Sequence, residues 1–215
     1  MSELIAIDVL LEPDDRVHDL AISYNRRFLR GVPPPRGFEL GESRVPHVTV
    51  VQRYVRSDEL TAALASVELV AVATDPDTFD LVLGGAPCGE RFATDGVGTV
   101  LWWVTAEPAL LELQSSLLAA LEPFVVTGGD GRAFVRAEDD DAISNSTIRY
   151  VERFAPDQIG SNYRPHLTLG RADAAERAQL AAHPAPPIRF TSPAVAVHHL
   201  GDHGTARRML ARWPR

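Results

Sequence analysis

The spacing of apolar positions changes period several times along this chain, and each change predicts an element. Residues 5–11 are apolar and rich in β-branched side chains, which predicts a strand. Val17, Leu20, Ala21, Tyr24 and Phe28 then recur at spacings of three and four, which predicts a helix over residues 14–30 opened by Pro13 and Asp14. A glycine and three prolines in "GVPPPRGF" end it. Residues 47–54 predict a second strand, with Pro46 at its mouth, where a missing N–H is tolerated. Ser57 is placed to cap a helix with Asp58 and Glu59 in its first turn and Leu60, Ala63, Leu64 and Val67 on its apolar face. "DTFDLVLGG" and "GTVLWWVTA" predict two strands joined by the loop "PCGERFATDG". Leu110, Leu113, Leu117 and Leu121 make the stripe of a third helix.

The second half repeats the series. Residues 127–146 are Gly-rich and then acidic, which predicts a flexible insertion or long hairpin at the surface. "STIRYVERF" has the composition of a strand. Residues 166–171 predict another strand, residues 173–182 a short helix, and the tail a hairpin turning at "GDHG". A strand, a short helix and a strand pair therefore occur twice, an internal repeat of architecture rather than of sequence. The expectation is an α+β fold, one domain over residues 1–215. It would have two pseudo-symmetric lobes, each an antiparallel sheet with helices on its outer face, and a groove between them.

Composition narrows the class. Apolar residues make up 45% of the chain and charged residues 23%, which is globular and sufficient for a core without staples. The single cysteine, Cys88, cannot form an intrachain disulfide, and no apolar run reaches membrane-spanning length, so a cytoplasmic monomer is expected. A net charge of -8 disfavours binding to duplex DNA but leaves room for a small phosphate ligand held by a local arginine cluster.

The chemistry sits in two similar strings, "RVPHVTV" at residues 44–50 and "YRPHLTL" at residues 163–169. Side chains at i and i+2 of a strand share a face, so His47 projects with Thr49, and His166 with Thr168. Two imidazoles and two hydroxyls in one groove suit in-line displacement at phosphorus. One histidine takes a proton from the attacking oxygen and the other gives one to the leaving oxygen, while the threonines donate to the non-bridging oxygens. This constellation needs neither metal nor cofactor.

The paired "HVTV" and "HLTL" resemble the two signatures of the 2H phosphoesterase superfamily, which includes 2′-5′ RNA ligase and cyclic phosphodiesterase proteins. "YRPHLTLGR" is similar to the fuller second motif of that family. The resemblance implies metal-independent phosphoesterase action on 2′,3′-cyclic phosphate or 2′-5′ linked nucleotides or RNA ends. It places the catalytic pair at His47 and His166 and the phosphate-binding hydroxyls at Thr49 and Thr168. The long stretch at residues 127–162 departs from the small RNA-ligase members and would form a lid or a different base pocket.

Strand parity adds Arg53 and Arg164 as candidate substrate contacts. Tyr163 is a candidate to stack on a base, and Arg171 follows Gly170, where the strand can bend. Of Trp102 and Trp103, one is expected in the core and the other near the groove or between the lobes. The "HHLGDH" stretch reads as a turn, not a helix carrying metal ligands. The alternative to an enzyme is a module of the same fold that holds a nucleotide or RNA end without turnover.

Overall fold

The structure, a computed structural model, describes residues 2–74, 79–84, 96–137, 140 and 142–214. In chain order the elements are β1 (Leu4–Glu12), α1 (Asp15–Leu29), β2 (Val48–Arg56), α2 (Leu60–Ala73), β3 (Leu81–Gly84), β4 (Val97–Val104), α3 (Pro108–Leu121), β5 (Val125–Val126), α4 (Asn145–Asp157), β6 (His166–Asp173), α5 (Ala174–Ala182), β7 (Ile188–Phe190), β8 (Ala194–Leu200) and β9 (Ala206–Pro214). Cys88, most of "PCGERFATDG", the head of "DTFDLVLGG" and three members of the acidic run lie outside the described residues.

The strands pair antiparallel in the order β7-β3-β4-β6-β2-β1-β8-β9, with β5 beside the far end of β2. The two motif strands, β2 and β6, are neighbours at the centre and meet at Val48 and Leu167. The strand pair that follows the first motif does not stay beside it. β3 and β4 lie on the β6 side, whereas β8 and β9 return to lie against β1 on the β2 side.

One face of the sheet carries the main core. Val17, Ala21 and Phe28 of α1, Ala63 and Val67 of α2, Leu110, Leu113, Leu117 and Leu121 of α3 and Leu180 of α5 pack there on Ile7, Val9, Val50, Val51, Leu167 and Leu169. The other face carries a smaller cluster in which Val151 of α4 meets Ala6, Tyr54, Phe134, Ile143 and Leu200. β1 is thus covered on both sides, which explains its nearly unbroken apolar run.

Three expectations change. Helix α2 begins later than Ser57 predicted: Ser57, Asp58 and Glu59 form a turn, and Glu59 occupies the N-cap without a side-chain cap bond. "STIRYVERF" is not a strand but most of α4. Ser144 caps it, accepting from the Thr147 amide, and Thr147, Val151 and Phe154 bury one face at spacings of four and three. Burial of that stripe outweighs the strand-like composition. The segment before it forms no hairpin among the described residues. Ala133 and Phe134 are buried, and Val135 N–H donates to the Leu200 carbonyl at 2.8 Å, tying the segment to β8.

Candidate active site

Each motif strand carries a β-bulge at the same place relative to its histidine. On β2 the pairing with β1 steps from Leu10–Thr49 to Val9–Val51, leaving Val50 extra. On β6 the pairing with β4 steps from Leu101–Thr168 to Val100–Gly170, leaving Leu169 extra. A bulge inserts one residue and reverses the alternation beyond it. The residue five after each histidine therefore turns to the histidine's own face. Those residues are Gln52 and Arg171, and both line a cavity of about 360 Å³ together with His47, Thr49, His166 and Thr168.

A bulged residue leaves its carbonyl out of the ladder, and a buried carbonyl needs a donor. Two buried carboxamides supply it. Gln114 of α3 donates from Nε2 to the Val50 carbonyl at 3.0 Å, and Asn25 of α1 donates from Nδ2 to the Leu169 carbonyl at 3.0 Å. Asn25 also donates to the Phe38 carbonyl and accepts from the Leu40 amide. Gly170 has φ +128, and a Cβ there would stand 2.5 Å from Asn25 Nδ2, so this bulge requires glycine.

The imidazoles are anchored alike. His47 Nδ1 lies 2.7 Å from the Val45 carbonyl, and His166 Nδ1 lies 2.8 Å from the Arg164 carbonyl. A carbonyl only accepts, so Nδ1 carries a proton in both rings and Nε2 is the nitrogen that the backbone does not hold. Beyond that, the two sites diverge. The fully buried Asp8 of β1 places Oδ2 3.3 Å from His47 Nε2 and accepts from Thr49 Oγ1 at 2.8 Å and Gln52 Nε2 at 3.0 Å. Burial opposes a charge on His47, but the Asp8 carboxylate and the Val45 carbonyl outweigh it and hold its pKa above the ordinary value of 6.5. Burial pushes His166 below 6.5. The Arg164 carbonyl counters only in part, and a charge on His47 lowers it further.

Of the other sequence candidates, the structure brings Arg171 to the cavity, where its guanidinium also donates to the Arg36 carbonyl at 2.7 Å. Three do not line it. Arg53 is buried on the opposite face because the Val50 bulge breaks the parity that linked it to His47, and it donates to the Gln52 carbonyl. Tyr163 is buried and cannot stack on a base: its hydroxyl donates to the Thr49 carbonyl at 2.7 Å. Arg164 donates to the Ser161 and Tyr163 carbonyls. Trp102 is core, and Trp103 is 37% exposed with its ring edge-on to His166, centroids 5.7 Å apart.

Several residues in or directly behind the cavity wall escaped the sequence reading, Asp8 among those behind it. Asp8 interrupts an apolar strand, and a lone carboxylate there is a legible signal. Gln52 matches Arg171 in its offset from the histidine. Tyr150 and Ser146 come from α4, so the unexpected helix is a wall of the cavity. His203 stands at the β8–β9 turn with φ 58, stacked on Phe38. The turn is fixed to α4 by Asp202, which accepts from the Thr147 hydroxyl at 2.6 Å and the Ser144 hydroxyl at 2.8 Å. Among the described residues no group of three or more His, Cys, Asp or Glu side chains is placed to hold a metal ion, and no helix is long and apolar enough to cross a membrane.

The family model of the 2′-5′ RNA ligase superfamily matches residues 29–204. The chain belongs to that superfamily. Solved structures agree on the α+β fold. The crystal structure of TT0787 of Thermus thermophilus is 17% identical, with a TM-score of 0.53 and coverage of 98% of this chain and 97% of that one. The crystal structure of E. coli LigT complexed with NADP+ is 15% identical, TM-score 0.52, covering 99% and 98%. The crystal structure of E. coli LigT complexed with phosphate is 16% identical, TM-score 0.50, with the same coverage. No curated protein matches the chain.

Proposed function

We propose that this superfamily member is a metal-independent phosphoesterase that acts on 2′,3′-cyclic phosphate or 2′-5′ linked nucleotides or RNA ends, with His47 and His166 as its acid/base pair. The observation that carries this reading is the placement of two imidazoles, anchored the same way through Nδ1, on one cavity with Thr168 and Arg171. Nε2 of one ring takes a proton from the attacking water as its oxygen bonds to phosphorus. Nε2 of the other gives a proton to the sugar oxygen as its bond to phosphorus breaks. Both proton transfers and the stabilisation of phosphoryl charge come from side chains, so no metal ion is required by the chemistry.

The anion-binding side of the cavity is uneven. Thr49 has already committed its hydroxyl proton to Asp8, whereas Thr168 Oγ1 has no partner among the described residues. The non-bridging oxygens are therefore met by the Thr168 hydroxyl and the Arg171 guanidinium. A volume of about 360 Å³ suits one nucleotide rather than a duplex. The NADP+ and phosphate complexes of LigT support a nucleotide phosphate as ligand class.

The test is incubation with the four 2′,3′-cyclic mononucleotides and a 2′-5′ linked dinucleotide in EDTA, followed by phosphorus NMR. Product with wild type, lost in His47→Ala and His166→Ala, is the expected result. Product undiminished in both variants refutes the pair. Tight binding with no product from any substrate points instead to the holding module.

A further inference from the structure

The two halves of the site can be superposed residue by residue in their pairing. Gln52 faces Asp8 across β2 and β1, and its counterpart Arg171 faces Thr99 across β6 and β4. Leu10 faces Thr49 just as Leu101 faces Thr168. Asp8 and Thr99 therefore occupy the same position in the two halves. One is a carboxylate and the other a neutral hydroxyl, and this is the sharpest chemical difference between the surroundings of the two histidines.

We propose that Asp8 is a positioning residue that divides the labour between the histidines, its carboxylate making His47 the proton donor and leaving His166, which has Thr99 in the matching place, as the acceptor. The proposal rests on the phosphoesterase reading and assigns the roles within it. The geometry is specific. Asp8 is fully buried, with no Arg side chain hydrogen-bonded to it among the described residues. Its Oδ2 is served by a hydroxyl and an amide, and Oδ1 has no partner among the described residues. A buried carboxylate met only by neutral dipoles is costly. The nearest group able to carry a compensating charge is the His47 ring at 3.3 Å.

The other groups around this pair do not take that role. His198 of β8 lies directly across from Asp8, but burial first, and a charge on His47 next, push its pKa below 6.5. Tyr150 of α4 is pushed up to about 12 by burial and by Asp8, and Tyr163 is also pushed well above 10 by burial, so both stay neutral. Glu12 of β1 acts on His198. His166 of β6 is disfavoured as a cation by its own burial and then by His47.

The consequence is a site whose working protonation state is its majority state. Between the lowered pKa of His166 and the raised pKa of His47, the first ring is neutral and the second protonated. His166 Nε2 takes the proton of the attacking water while that oxygen bonds to phosphorus. His47 Nε2–H gives its proton to the departing sugar oxygen, which leaves with the electron pair of the broken P–O bond. Reversed roles would need both rings in their minority forms.

The measurement is an NMR titration of the histidine rings in wild type and Asp8→Asn, with a pH profile of kcat/KM on the best cyclic nucleotide. In wild type, His47 should titrate above His166. In Asp8→Asn, the His47 midpoint should fall, the alkaline limb of the profile should move to lower pH, and the rate at pH 8 should drop on the order of 10-fold. The His166 limb should move far less. A His47 midpoint at or below that of His166 in wild type overturns the proposal and needs no variant to fold. A profile and a His47 midpoint unchanged in a folded Asp8→Asn overturn it too. If wild type turns over none of the substrates, the functional reading fails, and the ring titrations still decide whether Asp8 sets the charge of His47.

Discussion

The β1–β2 half and the β4–β6 half of this protein are built to one plan and finished differently. Both have a histidine at the mouth of a motif strand, a threonine two residues on, a bulge at the third residue and a polar side chain turned inward at the fifth. Both satisfy the bulge carbonyl with a carboxamide from a covering helix. The finish differs at the position beside the motif strand. In the first half Asp8 gathers His47, Thr49 and Gln52 into one network. In the second, Thr99, Thr168 and Arg171 present hydroxyls and a guanidinium to the cavity. Duplicated geometry gives two equivalent histidine positions, which the proposed acid/base pair would use. One change of charge makes them inequivalent, and a general acid and a general base must be inequivalent to work together at one pH.

The largest test of this comparison removes each ring. His47→Ala and His166→Ala should each lower kcat/KM by ~10²–10⁴, read on a cyclic nucleotide in EDTA. A loss confined to one variant would mean that the other half is scaffold. Next come the carboxamides. Asn25→Leu strands two carbonyls and one amide, and Gln114→Leu strands two carbonyls. Each unpaired buried group costs about 1–3 kcal/mol, so urea unfolding should show both variants destabilised, Asn25→Leu the more. Equal and negligible effects would show that the bulges hold themselves.

Smaller effects separate the two hydroxyls. Thr168→Val removes a donor left free for the anion and should lower kcat/KM by roughly 10-fold to 100-fold, as expected for a hydrogen bond to a charged group. Thr49→Val removes a bond to Asp8 and should cost less. A larger loss for Thr49 would assign the anion to the other side of the cavity. The smallest change is in pH dependence. Thr99→Asp should raise the His166 midpoint and move the acid limb of the profile upward, narrowing the working range.

Stability should follow the same signs. The raised pKa of His47 contributes stability that is full below pH 6.5 and is lost as pH rises through the folded-state value. The lowered pKa of His166 makes the fold lose stability as pH drops below 6.5. Melting temperatures across roughly pH 5–9, with Asp8→Asn alongside, read the two contributions apart.

The sequence by itself determined that His47 pairs with Thr49 and His166 with Thr168 on one face, because a strand's period of two is local and the strings "HVTV" and "HLTL" announce it. It also determined most of the helices, through stripes such as Leu110, Leu113, Leu117 and Leu121. Only the tertiary structure decided what lies past the third residue of each motif. A bulge is chosen by the partner strand and by a donor waiting across the core, here Gln114 or Asn25, and neither is near in sequence. That is why parity held for Thr49 and Thr168, failed for Arg53 and brought in Gln52. Tertiary packing also decided that "STIRYVERF" is a helix, since burial of Thr147, Val151 and Phe154 outweighs its composition. And it alone set Asp8 beside His47, because nothing local says which strand will pair with which across an intervening helix and loop.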